Sequence, residues 1–174
     1  NDLLLIDAGA EYQCYAADIT RTFPVNGKFT PAQRELYQIV LDAQYAAIEA
    51  VKPGNHWNQP HEAAVQVLTE GLVKLGLLQG NVDKLIEDQA YREFYMHRTG
   101  HWLGMDAHDV GDYKIDCTWR LLEPGMVLTV EPGLYIRDPE HIDKKWHFTG
   151  IRIEDDVLVT KEGHEVLSAG APKE

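Results

Sequence analysis

Five residues whose side chains bind hard metal ions, Asp7, Asp18, His101, Glu131 and Glu154, lie in or beside short apolar runs of this 174-residue chain. The runs read LLLIDAG, YAADITRTF, TGHWLGMD, MVLTVEPG and TGIRIEDD. A carboxylate in an apolar strand is costly to bury unless a cation or hydrogen-bond donors compensate it. One such residue is readily a satisfied structural Asp. Five, drawn from five separate segments, point to a site assembled across the fold. The set is oxygen-rich with a single imidazole, which suits Mn²⁺, with Co²⁺ or Zn²⁺ as alternatives, and differs from a Cys-rich structural zinc site. Two divalent cations about 3.5–4 Å apart need bridging carboxylates, which four acids can supply. Such a pair turns a bridging water into hydroxide near neutral pH and polarises a carbonyl, so hydrolysis needs no protein nucleophile.

Other chemistries are poorly served. The chain has no GxSxG elbow, no HExxH, no GxxxxGK[ST] phosphate loop and no GxGxxG. Cys14 and Cys117 lie far apart, form no CxxC and carry no local signature of a catalytic thiol. Two free thiols in a reducing cytoplasmic setting are the simplest reading.

The elements that must position these residues follow from pattern. Leu3 to Asp7 reads as a buried strand ending at Ala8-Gly9, and Tyr15 to Phe23 as a second strand closed by Pro24 and the Asn26-Gly27 turn signal. The two would form a hairpin bearing Asp7 and Asp18, with Asp18, Thr20 and Thr22 on one face. Thr30, Pro31 and Gln33 form a capping box at the head of a helix whose apolar spacing runs from Leu36 to Val51. A second helix starts near Pro60 and runs to Gly76, and Asn81 to Ala90 reads as a short surface lid. Beyond Phe94, β-type segments alternate with Gly, Pro and Asp turns: Met126 to Glu131, Leu134 to Ile136, Phe148 to Glu154 and Val157 to Thr160. In Ile151-Arg152-Ile153-Glu154 the isoleucines share the core face, while Arg152 and Glu154 point together towards a site. Strands, then helices, then strands predict an α+β fold, mainly an antiparallel sheet with helices on one face.

Size and charge bound the rest. The chain suits one compact core, and 44% hydrophobic residues describe a globular protein rather than a disordered one. A net charge of −12 argues against a nucleic-acid partner, and no apolar run approaches the roughly 20 residues of a membrane span. No signal-peptide pattern opens the chain, and its entry into a strand-like run directly after Asn1 reads as the interior of a longer protein.

The words DAGAEYQCYAADITRTFPVNGKFT, GHWLGMDAHDVG, LEPGMVLTVEPGLYI and GIRIEDDVLVT resemble the pita-bread metallopeptidases, which include methionine aminopeptidase, prolidase and aminopeptidase P. The resemblance runs through almost the whole chain and is strongest to the bacterial aminopeptidase P type, the Xaa-Pro aminopeptidases. It implies a pita-bread fold, of which residues 1–174 would be the C-terminal part of the catalytic domain, with the N-terminal half and a preceding domain absent. The pocket would then lack one wall, which puts turnover by the isolated chain in question, and sheet edges would be exposed. By the same resemblance Asp7 binds one metal, His101 and Glu131 lie on the other side, and Asp18 and Glu154 bridge. Glu131 doubles as proton acceptor, and His108 stabilises the tetrahedral intermediate. His97 sits beside substrate or leaving group, and Arg152 orients a carboxylate or relays a proton.

The implied reaction removes an N-terminal residue that proline follows. Its partners are peptides with proline second, with no nucleic acid or membrane, and the full-length protein would be a homo-oligomer. The motifs are shared with prolidase, restricted to dipeptides, and with relatives that serve as non-catalytic peptide-binding modules. His56, His61 and Glu62 read as a solvated surface cluster, and His141, His147 and His164 receive no role.

Overall fold

The computed structural model describes residues 1–173. The chain opens with β1 (Leu3–Ala8), β2 (Glu11–Tyr12), β3 (Tyr15–Ala16) and β4 (Ile19–Pro24). Three helices follow, α1 (Pro31–Glu49), α2 (Gln59–Lys74) and the short α3 (Val82–Glu87). The second half holds β5 (Lys114–Ile115), β6 (Thr118–Trp119), β7 (Val127–Val130), β8 (Gly133–Ile136), β9 (Thr149–Arg152), β10 (Asp155–Val159) and β11 (His164–Val166). Every strand pairing is antiparallel: β1 with β4, β2 with β3, β5 with β6, β8 with β9, and β11–β10–β7 as a three-stranded ladder. Main-chain contacts join the pieces, since Glu154 N donates to Thr20 O at 3.1 Å and brings β4 alongside the turn between β9 and β10.

The helices lie on one side of this sheet system, α1 against β7, β8 and β9, and α2 against α1. The capping box forms as the sequence predicts: Thr30 Oγ1 accepts from Gln33 N, and Gln33 Oε1 accepts from Thr30 N. It satisfies donors that a helix start leaves orphaned, and Pro31 has none to lose there. Helix α1 buries Leu36, Val40, Ala43 and Ala47, and α2 buries Ala64, Leu68 and Leu72, so both 3.6-residue stripes meet in one core. Gly71 makes their crossing close, because a Cβ there would stand 2.5 Å from Ile39 Cγ2. Ile151 and Ile153, both at 0% exposure, fill the core under the site.

The predicted strand from Tyr15 to Phe23 is interrupted. It folds out as the β2–β3 ribbon and resumes as β4, which leaves Asp18 at the break rather than within a strand. The turn of that ribbon, Gln13 and Cys14, takes positive φ at both residues (52° and 63°), as a two-residue hairpin turn requires. The same device recurs at Asp116 and Cys117 between β5 and β6. Helix α3 buries no residue and packs against α2 and the 3₁₀ turn Ala90–Glu93.

Candidate metal centre

Each of the five acid or imidazole side chains is delivered by a different stretch of backbone. Asp7 lies near the end of β1, opposite Thr20 of β4, and Asp18 precedes β4 by one residue. Glu131 follows β7 directly, and Glu154 occupies the step from β9 to β10. His101 belongs to an irregular segment that runs beside β7. Its carbonyl accepts from Thr129 N at 3.0 Å, its N–H reaches Thr129 Oγ1 at 3.2 Å, and Trp102 forms a single bridge to Leu128. The two chain halves therefore meet at the site, β1 and β4 from one side and the strands around β7, β9 and β10 from the other.

Ligand atoms converge in three overlapping sets, each within 4.8 Å: Asp7, Asp18 and Glu154; His101, Glu131 and Glu154; and Asp18, His101 and His108. Glu154 belongs to both the Asp7 set and the His101–Glu131 set, and Asp18 links Asp7 to His101. The two acids thus occupy the middle of the constellation, with Asp7 at one end and His101 with Glu131 at the other.

Burial and mutual repulsion set the electrostatics of this constellation. Burial, with the neighbouring Asp7 adding to it, pushes the Asp18 carboxyl up to about 6. Burial and the charges of Asp18 and Asp7 push Glu131 up to about 7, against the pull of Arg152. Glu154, 1% exposed, is pushed up to about 8 by burial and by Glu131, although Thr20 Oγ1 donates to it at 2.5 Å. His101 moves the other way, since burial holds its imidazole below the usual value. Its Nδ1 lies 3.0 Å from Trp102 O and must carry the proton to donate there, so Nε2 presents a lone pair. That lone pair faces Asp18 Oδ2 at 3.4 Å and Glu131 Oε1 at 3.6 Å. Ionised carboxylates facing that lone pair repel it, and either a retained proton or a cation between them relieves the contact. Oxygen-rich carboxylates with one imidazole nitrogen are the donor chemistry a hard or borderline divalent ion takes, and the residues present fit such ions.

The other predicted site residues surround this cluster. Arg152 donates through Nη2 to Asp7 Oδ2 at 2.5 Å, through Nε to Thr20 Oγ1 at 3.2 Å and through Nη1 to Tyr135 Oη at 3.3 Å. His97 stands one partner further out, its Nε2 2.7 Å from the same Tyr135 hydroxyl. His108 is exposed, its ring edge-on to His101 at 4.3 Å between centroids.

Sequence reasoning missed Tyr135 and Asp156, whereas Thr20, read beside Asp18 and Thr22, donates to Glu154. Tyr135 joins His97 to Arg152, but within EPGLYI it reads as an ordinary strand aromatic. Asp156 accepts from Asp18 N at 3.2 Å, so the second of the two acids after Glu154 steadies the backbone of another site residue. The alternation signal was available there, since Glu154 and Asp156 are two apart in an extended stretch.

One expectation is corrected. His61 does not belong to a solvated cluster: it is half-buried, with Nδ1 2.8 Å from Thr99 Oγ1, because its side of the first turn of α2 packs on the segment carrying Thr99, while Glu62 in the same turn is exposed. The His56 ring approaches Glu62 at 3.9 Å, and its backbone N–H donates to Gln59 Oε1 at 2.8 Å. A cavity of about 600 Å³ between Arg21, Phe29, Arg34, Tyr37, Tyr45 and Lys173 contains none of the five residues.

Comparison with known proteins gives this geometry a lineage. The model of the family described as metallopeptidase family M24 matches residues 1–161. A protein named Xaa-Pro aminopeptidase from Haemophilus influenzae is 56% identical over 173 residues, which cover 99% of this chain and 40% of its own length. The solved structure of Pseudomonas aeruginosa aminopeptidase PepP superposes with a TM-score of 0.98 at 60% identity, covering 99% of this chain and 39% of that one. A zinc-substituted Escherichia coli aminopeptidase P in complex with product gives 0.95 at 53% identity, with 99% and 39% covered. The chain thus spans about two fifths of the length of these relatives.

Proposed function

Because the chain belongs to metallopeptidase family M24, we propose that residues 1–174 supply the metal-binding part of an aminopeptidase that hydrolyses N-terminal Xaa-Pro bonds with two divalent ions. The observation that carries the reading is the overlap of the ligand sets: Asp18 and Glu154 lie between Asp7 on one side and His101 with Glu131 on the other, and His101 Nε2 faces Asp18 and Glu131. Asp7 would hold one ion, His101 and Glu131 the other, and Asp18 and Glu154 both. Mn²⁺ is the ion the hard donor set favours; the zinc-substituted relative supports tolerance of a borderline ion at a similar site. When bound, the ions supply Lewis acidity that activates water and polarises the scissile carbonyl.

The protein's own groups divide the remaining work. Glu131 would take the proton that water loses as its oxygen bonds to the carbonyl carbon, and deliver it to the proline nitrogen as the C–N bond breaks. His108, exposed beside His101, would donate to the carbonyl oxygen as negative charge collects there. Arg152 holds Asp7 and Tyr135 in place, and His97, tied to Tyr135, would stand beside the leaving group. Two exposed free thiols favour a cytoplasmic setting. A homo-oligomer remains our proposal for the whole protein.

Prolidase activity is the second reading, because the site residues do not fix substrate length. Mn²⁺-loaded full-length protein should cleave Xaa-Pro-initiated tripeptides and longer peptides. Cleavage confined to dipeptides would assign prolidase, and fewer than one bound metal equivalent with no cleavage would leave a peptide-binding module.

A further inference from the structure

His61 takes no part in the chemistry above, yet it sits on the first turn of α2 with its ring turned inward. Its Nδ1 lies 2.8 Å from Thr99 Oγ1, and that oxygen lies 2.6 Å from the hydroxyl of Tyr95, which is at 0% exposure. The direction of this chain follows from counting protons. Among the described residues Thr99 is the hydrogen-bond partner of the Tyr95 hydroxyl, and burial drives that phenol far above its ordinary value, so it keeps its proton. A buried donor left without an acceptor is costly. Tyr95 therefore donates to Thr99, Thr99 passes its own proton on to His61, and His61 Nδ1 must offer a lone pair. The imidazole is neutral, with its hydrogen on Nε2. Burial first, then the charges of Arg98 and His97, keep it so by lowering its pKa to about 4.

Thr99 is the hinge on which this matters. It stands midway between His97 and His101, in a segment without regular secondary structure. Its carbonyl accepts from Glu131 N at 2.8 Å, while Thr129 N donates to His101 O at 3.0 Å. On its inner side the segment is thus laced to β7 and the start of the Glu131 loop. On its outer side, the Thr99 hydroxyl ties it to α2. The gap there, between Trp57, Pro60, His61 and Thr99, is about 10 Å³, room for no more than one water, so the tie has little slack.

We infer that His61 is a positioning residue for the metal centre: as terminal acceptor of the Tyr95–Thr99–His61 chain, it fixes the irregular segment that carries His101 and whose Thr99 carbonyl holds the backbone of Glu131. The inference rests on the metal-binding reading of the previous subsection, and the experiment separates the two.

Mn²⁺ affinity of the full chain is measured by titration calorimetry for the wild type and for His61→Leu, His61→Asn and Thr99→Val. His61→Leu removes the acceptor and should weaken Mn²⁺ binding by about 10–100-fold, the usual cost of losing a partner behind the ligands. His61→Asn places an acceptor oxygen near the position of Nδ1 and should bind within about threefold of wild type. A role in packing alone would not be rescued by this smaller polar side chain. Mn²⁺ binding by His61→Leu within about twofold of wild type overturns the inference, as does His61→Asn binding no better than His61→Leu. Should His61→Leu fail to fold, Thr99→Val, equal in shape but lacking the hydroxyl, must show the same weakening, and unchanged affinity there also overturns it. A wild-type chain that binds no Mn²⁺ sinks the metal reading together with this one, whereas failure of the inference alone shows only in the variants.

Discussion

Glu154 and Asp155 are adjacent acids, both buried, and their surroundings drive them in opposite directions. Burial would raise Asp155, but donors from Lys173, Ser168, Arg21 and Gln44 outweigh it and hold the carboxyl below its ordinary value. Glu154 receives one hydroxyl and faces other carboxylates, so it is raised to about 8. Asp155 is a charge the fold has already compensated; Glu154 is a charge left for something else to compensate. The same contrast separates roles inside the site. If Glu131 both holds an ion and moves the proton, Glu131→Gln in the full-length protein should lower kcat by about 10²–10⁴-fold, with far-UV circular dichroism unchanged. Near-normal kcat would refute the proton-acceptor role. His108 belongs to a ligand set with Asp18 and His101, yet it is exposed. His108→Ala should lower kcat by roughly 10²-fold while bound metal, read by atomic absorption, stays at the wild-type level. Loss of metal instead would make His108 a ligand.

The site is built where regular elements stop. Asp18 sits at the break before β4, Glu131 just past β7, Glu154 between β9 and β10, and His101 on a segment with a single isolated bridge. Periodicity exposes long elements well, which is why Thr30, Pro31 and Gln33 announced α1 and the alternation around Arg152 announced its polar face. It is silent on two-residue strands, so the β2–β3 and β5–β6 ribbons went unread, and their turns use Cys where Gly or Asn is usual. It is equally silent on partners brought in from distant segments, as with Tyr135 behind Arg152 and Thr99 under His61. Gly100 shows how closely such segments are fitted: a Cβ there would stand 2.0 Å from Thr129 O. Gly100→Ala must therefore push the His101 segment off β7, together with the imidazole proposed as a metal ligand. Mn²⁺ affinity should fall by at least about tenfold, well beyond what a Gly-to-Ala change costs at an open position. Wild-type affinity in this variant would mean the segment is not held where β7 places it.

At the scale of the whole molecule, the uncompensated acids make stability depend on pH and on metal together. Asp18, Asp156, Glu131 and Glu154 all sit above their ordinary values, so between those values and the raised ones the folded state holds protons that the unfolded chain has released. Their contribution to stability is whole below the ordinary carboxylate range and is lost as pH rises through about 6, 7 and 8. His61, His97 and His101 oppose this, since each lies below its ordinary 6.5 and favours folding as pH rises towards that value. Above about 6.5 the histidines are neutral in both states, and Glu131 and Glu154 dominate. Metal-free protein in chelator should therefore melt at progressively lower temperature from about pH 6.5 to about pH 8. Mn²⁺ needs the ionised acids, so its stabilisation should grow across the same interval. At 100-fold excess over its Kd it contributes about 2.7 kcal/mol, which for a chain of this size raises Tm by roughly 5–10 °C. The check is a set of thermal melts across that interval, with and without Mn²⁺. A metal-free Tm that stays level or rises would show that Glu131 and Glu154 are already compensated by the protein, leaving no electrostatic reason for a cation to bind between them.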